Sequence, residues 1–158
     1  LHDALPISAI ADVTEKAYRS GDYIFFAIDN HDIGDVFHPE TNLFPEHNIK
    51  GTSGRNLYGP LGTLYETIKE DSRVFWIDKR HYSAFSGTDL DIRLRERRID
   101  TLILTGVLTD ICVLHTAIDA YNLGYKIEVP AAAVASLNDS NHQWALNHFK
   151  TVLGATIL

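Results

Sequence analysis

The sequence predicts an α/β fold, a doubly wound parallel sheet with helices on both faces. Three observations predict it. Short, nearly uninterrupted apolar runs such as residues 23–28 have the pattern of parallel strands covered on both sides. Other stretches space their apolar residues three and four apart, the period of an amphipathic helix. The two kinds alternate along the chain, which calls for βα units side by side in one sheet. With 158 residues the chain can bury one sizeable core but not two, and no repeat or linker divides it. A single domain over residues 1–158 is expected.

The elements follow in order. Ile7, Ile10, Val13, Ala17 and Tyr18 recur at helical spacing, predicting a helix over 8–19 that Ser20 and Gly21 close. The strand at 23–28 comes next. Residues 29–62 hold histidines, prolines and Gly34, Gly51, Gly54, Gly59 and Gly62 without sustained periodicity, and so long a loop in a compact domain is usually functional. A helix is then expected near 63–69, a strand at 74–77, a helix at 89–98, a strand at 102–105, a helix at 110–123, a strand at 125–129, a helix at 140–150 and a last strand near 155–157. A fold of this type normally opens with a strand. Leu-His-Asp-Ala-Leu-Pro has no strand pattern, so the first strand is expected to be missing. The chain has no methionine and starts at Leu1, which gives the expectation of a fragment.

Composition narrows the function classes. A formal charge of -7, with no basic run longer than Arg95-Glu96-Arg97-Arg98, argues against nucleic acid or an anionic lipid surface as partner. No apolar run approaches the ~18 residues of a membrane-spanning helix. Cys112 is the single cysteine, which excludes an internal disulfide and favours a reducing, cytoplasmic compartment.

Several residues are placed to do chemistry. Cys112 falls in the first turn of the helix that follows strand 102–105. There the helix dipole and free N–H groups favour a thiolate and are able to hold an oxyanion. The competing reading is a small buried core residue. His115, three residues on, offers a cysteine–histidine dyad or is an ordinary helix-face histidine. Lys79 follows strand 74–77 and reaches the same carboxyl edge of the sheet, where an ammonium stabilises a thiolate. Asp29 and His31 follow strand 23–28 two residues apart, on one side of extended backbone. With His47, and with His38 and Glu40 on the same loop, they offer a carboxylate–imidazole set suited to zinc, iron or manganese; the competing reading is ordinary polar loop residues. His2, His81, His142 and His148 have no matching spacing and are read as surface residues. The Gly51–Gly59 stretch lacks the ending of a phosphate loop and reads as turn chemistry.

Two long segments carry a resemblance. "DKRHYSAFSGTDLDIRLRERRIDTLILTGVLTDICVLHTAIDAYNLGY" resembles the cysteine-bearing core of the isochorismatase-like cysteine hydrolases, and "IDNHDIGDVFHPETNLFPEHNIKGTSGRNLYG" is similar to the metal loop of the bacterial nicotinamidases among them. The resemblance runs from about Ser8 to Leu158. It implies Cys112 as nucleophile and Lys79 as its triad lysine. It implies Asp29, His31 and His47 as metal ligands with Glu40 as a fourth, and one divalent ion, zinc foremost, with iron or manganese admitted. It implies a cis peptide at Val107-Leu108, with the N–H groups of Leu108 and Cys112 forming the oxyanion hole, and Phe44 and Tyr82 as contacts of the substrate ring. The implied activity is hydrolysis of nicotinamide to nicotinate and ammonia in NAD salvage, through a cysteine thioester. Another amidase of the same superfamily and a catalytically dead fragment are the alternatives, and a homo-oligomer is left open. The family's triad aspartate belongs to the first strand, before Ser8. Residues 1–7 look like foreign sequence in which Asp3 is no substitute, so the chain as written is expected to be inactive.

Overall fold

The fold was analysed in a computed structural model, which describes residues 6–158. Helix α1 (Ile7–Arg19) is capped by Pro6, whose missing N–H costs nothing at a helix start and whose carbonyl accepts from the Ile10 N–H at 2.8 Å. It turns Ile10, Ala11 and Thr14 inward. Strand β1 (Ile24–Asp29) pairs in parallel with β2 (Val74–Lys79), in register from Ile24 opposite Val74 to Asp29 opposite Lys79. Between them α2 (Gly59–Ile68) begins four residues before the expected 63, because Pro60 in its first turn is preorganised for a helix start. Gly62 is required there, since a Cβ would collide with the Leu57 carbonyl.

Helix α3 (Leu90–Glu96) leads to β3 (Thr101–Ile103) and the two-residue β4 (Gly106–Val107). The helix expected at 110–123 is in fact two pieces, a π-helical turn at Thr109–Val113 and then α4 (Leu114–Asn122). Strand β5 (Lys126–Val129), the short β6 (Val134–Ala135), α5 (Asp139–Thr151) and β7 (Thr156–Ile157) complete the chain. Every strand pairing among the described residues is parallel, as the α/β alternation requires.

The strands form three groups, β1–β2, β3–β5–β7 and β4–β6. Among the described residues nothing pairs with the second edge of β1 or of β3. Ile103 on β3 is accordingly 43% exposed, far above a central-strand residue. The expectation that residues 1–7 are foreign lies mostly outside the described residues; Ile7 itself opens α1.

Two apolar clusters hold the halves. One joins α4, β5 and α5 around Leu94, Val129, Ala145 and Phe149, with Phe25 and Ala27 of β1 packed against it. The other gathers Ile10, Phe26, Leu61 and Ile68 between α1, β1 and α2. No helix of the described residues is long and apolar enough to cross a membrane.

Candidate active site

The site is assembled at strand ends. Because β1 and β2 run parallel and in register, their last residues, Asp29 and Lys79, lie opposite each other. The Lys79 ammonium, 5% exposed, donates to the Asp29 carboxylate and to the His81 carbonyl at 3.1 Å. A lysine this deep is tolerable only because a carboxylate compensates it. On its other side Lys79 Nζ stands 3.8 Å from Cys112 Sγ, so the nucleophile candidate and the loop after β1 meet through one ammonium.

Cys112 is half-buried on the π-helical turn, and its environment corrects an expectation. A helix-start position suggested a thiolate. Burial instead pushes the thiol up to about 11; the Lys79 ammonium pulls it down, the Asp29 and Glu40 carboxylates push it further up, and a backbone hydrogen bond from Leu108 lowers it again. Desolvation therefore outweighs the pull of the lysine. The Val107-Leu108 peptide is cis. His115 does not form a dyad with the sulfur: it is exposed, its Nδ1 lies 2.7 Å from the Ile111 carbonyl, and its ring stands 5.2 Å from that of Tyr82.

The loop after β1 folds back as a compact cluster. His31, His38 and Glu40 are 3%, 3% and 4% exposed. The His31 ring lies 3.8 Å from that of His38 and 4.4 Å from that of His47. One ligand atom each of His31, Glu40 and His47 lie within 4.8 Å of one another. Asp29 borders the group, with Oδ2 3.8 Å from His47 Nε2 while its other oxygen is held by Lys79. Burial, then repulsion from His38 and His47, lowers the His31 pKa and keeps the imidazole neutral, the form that ligates metals. Burial raises the Glu40 carboxyl, and Asp29 adds to it. The loop is pinned from outside by Arg80, which bonds Asp35 at 2.6 Å.

A metal fits these residues on one structural observation. His31 Nδ1 and Glu40 Oε1 are buried without a hydrogen-bond partner, and buried polar atoms in native folds are almost always satisfied. A cation among His31, Glu40 and His47, with Asp29 adjacent, would satisfy them with the nitrogen and oxygen donors that zinc, iron and manganese accept.

Of the two ring-contacting candidates, Tyr82 reaches the site: burial raises its phenol, and the Glu40, Cys112 and Asp29 charges act on it in turn. Phe44 follows Glu40 on the same turn, its N–H on the Glu40 carbonyl at 3.0 Å, and is 40% exposed. Two surface grooves of about 370 and 410 Å³ run along Asn56 and Trp76 and are lined by none of these residues; the chemistry lies elsewhere. The residue that the sequence reading missed is His142. Read as a surface residue, it is half-buried, with Nδ1 2.9 Å from the hydroxyl of the fully buried Thr109. Its place at the fourth residue of a well-capped helix was visible in the sequence, but the partner was not.

A thiol and an ammonium beside a histidine–carboxylate cluster, all at the carboxyl edge of parallel strands, define an α/β protein built for nucleophilic chemistry on a small molecule. A profile described as "Isochorismatase domain" matches residues 4–158, and the chain belongs to that family. The match begins ahead of Ser8, where the resemblance was expected to start. An "Uncharacterized isochorismatase family protein PncA" of Bacillus subtilis (strain 168) is 54% identical over 149 residues, 94% of this chain and 81% of that protein. A crystal structure described as pyrazinamidase/nicotinamidase from Streptococcus mutans UA159 superposes with a TM-score of 0.95 at 74% identity, covering 97% of this chain and 84% of that one. A pyrazinamidase of Pyrococcus horikoshii solved in complex with zinc superposes with a TM-score of 0.83 at 25% identity, over 97% of this chain and 84% of its own.

Proposed function

We propose that the protein is a nicotinamidase, hydrolysing nicotinamide to nicotinate and ammonia in the cytoplasm as a step of NAD salvage. One observation carries the reading: Lys79 touches both the Cys112 sulfur and Asp29, which joins the nucleophile to the His31–Glu40–His47 cluster within one small site. Relatives described as nicotinamidases supply the substrate.

The thiol of Cys112 gives its proton to a carboxylate, and the sulfur attacks the carboxamide carbon to form a C–S bond. Lys79 stabilises the thiolate so formed. The oxygen of the tetrahedral adduct takes up the negative charge within reach of the Leu108 and Cys112 N–H groups. Return of the proton to nitrogen lets the C–N bond break and ammonia leave. Water, deprotonated by the same carboxylate, then attacks the thioester; the C–S bond breaks and nicotinate departs. The resemblance assigns the carboxylate to an aspartate before Ser8; Asp3, which was read as no substitute, lies outside the described residues. Tyr82 and Phe44 would flank the ring. A divalent ion, zinc first, held by His31, Glu40, His47 and Asp29, would fix the ring by its pyridine nitrogen.

A second reading, a chain that binds metal and ligand without turnover, is favoured by the Cys112 environment. Its thiol lies near 11, and among the described residues its side-chain partner is an ammonium and not a base. Ammonia release from nicotinamide by the purified chain with zinc, against Cys112→Ala, separates the two. Release that Cys112→Ala abolishes supports the nicotinamidase; no release, with zinc still bound, supports the second reading.

A further inference from the structure

The turn that carries Cys112 is irregular and is held from outside itself. The N–H groups of Ile111 and Val113 both reach the Leu108 carbonyl at 3.2 Å, the π-helical pattern that replaces a regular first turn of α4. Such single-turn irregularities persist where neighbours impose them. Two neighbours do so here, both from the segment that leads from β6 into α5. The Thr109 hydroxyl, 0% exposed, lies 2.9 Å from His142 Nδ1. The next residue, Asp110, accepts from Ser136 Oγ at 2.6 Å, and its N–H reaches the same oxygen at 3.4 Å. His142 is itself fixed, because Asn138 caps α5 by accepting from the Asn141 N–H at 3.2 Å and the His142 N–H reaches the Asn138 carbonyl at 3.0 Å.

We propose that His142 and Ser136 are positioning residues for Cys112: acting through Thr109 and Asp110, they set the turn so that the sulfur faces the Lys79 ammonium. Neither touches the sulfur. A wholly buried hydroxyl needs a partner, and among the described residues His142 is the one it has, so loss of the imidazole frees the start of the turn to shift. Three residues further on, a displacement of ~1 Å carries the sulfur away from Lys79, and misplacement on that scale costs a reacting group ~100-fold in rate. The clamp rests on Cys112 being the nucleophile, but not on which substrate it attacks.

The test uses the full chain and four variants: His142→Ala, His142→Asn, Thr109→Val and Thr109→Ser. Cys112 is the only cysteine, so the rate of iodoacetamide labelling of the folded protein reads its thiol alone and needs no turnover. Asn places an acceptor near the position of Nδ1, and Ser keeps the hydroxyl. The expected result is labelling slowed about 10-fold or more in His142→Ala and Thr109→Val and restored to within about threefold in the Asn and Ser variants. Where the chain turns over nicotinamide, kcat falls in the same two variants while KM holds. Labelling at the parental rate or faster in folded Thr109→Val or His142→Ala overturns the clamp. So does an Asn variant as slow as the Ala variant. If the Ala and Val variants lose their circular dichroism, the other two decide: Ser or Asn variants that are folded and slowed 10-fold overturn it. Normal clamp behaviour without ammonia release would instead sink the nicotinamidase reading and leave the clamp standing.

Discussion

Replacing Lys79 by Met should nearly silence the Cys112 thiol. The ammonium stands 3.8 Å from the sulfur in a largely dry setting, and it is the strongest influence that favours the thiolate against burial. Two unit charges at that distance interact by about 4 kcal/mol at an effective dielectric constant of ~20, equivalent to about three pH units of thiol ionisation. Met keeps the length and volume of the side chain, so packing changes little. With the thiol already near 11, only about 1% is ionised at pH 9 in the parent. Iodoacetamide labelling at pH 9 should therefore be measurable in the parent and roughly 30-fold to 1,000-fold slower in Lys79→Met, the lower figure allowing for water entering the vacated site. Asp29, freed from its partner, adds to the repulsion; the double variant Lys79→Met with Asp29→Asn should recover part of the loss. Labelling of Lys79→Met at the parental rate or above would refute the electrostatic account of this pair.

Zinc affinity, measured by isothermal titration, should fall at least 10-fold in His31→Ala and in Glu40→Gln, and in the parent it should weaken from pH 7 to pH 5 as protons compete for His31 and for the raised Glu40 carboxyl. Asp35 is held below its ordinary value of 3.8 first by its hydrogen bond to Arg80, so its contribution is present above that value and is lost as pH falls through the lowered one. Arg80→Ala should lose zinc at a higher pH than the parent in an acid titration. Phe149, 0% exposed on α5 and packed in the cluster with β5, should cost about 3 to 5 kcal/mol as Phe149→Ala and lower the thermal midpoint by about 6 to 20 °C in calorimetry. Among the described residues the outer edges of β1 and β3 carry no pairing, and such edges invite association, so Ile103→Lys should reduce light scattering at high protein concentration.

Much of this was legible in the sequence, where local pattern and topology agree. Strands β1 and β2 are apolar runs that end in Asp29 and Lys79, and parallel strands in register bring those ends together without further information. Two-residue strands such as β4 and β6 are too short to leave any periodicity, and they were missed. The π-helical turn was read as ordinary helix because its apolar spacing is helical; what bends it are Thr109–His142 and Asp110–Ser136, contacts 33 and 26 residues apart in sequence. The thiol was misjudged for a similar reason. A helix start is visible locally, whereas the burial that raises Cys112 comes from the surrounding fold. His38 was read as one further donor on the loop, and its burial was not visible in the sequence: the loop closes over it and leaves it 3% exposed against His31.

The central claim is that Cys112 is acylated by nicotinamide. Its most direct measurement is the intact mass of the zinc-loaded chain, acid-quenched during incubation with nicotinamide, alongside Cys112→Ala. The expected result is a fraction of the parent heavier by one nicotinoyl group, removed by hydroxylamine as a thioester would be, with no such species in Cys112→Ala. Ammonia released by parent and Cys112→Ala alike, with no adduct on either, would contradict it.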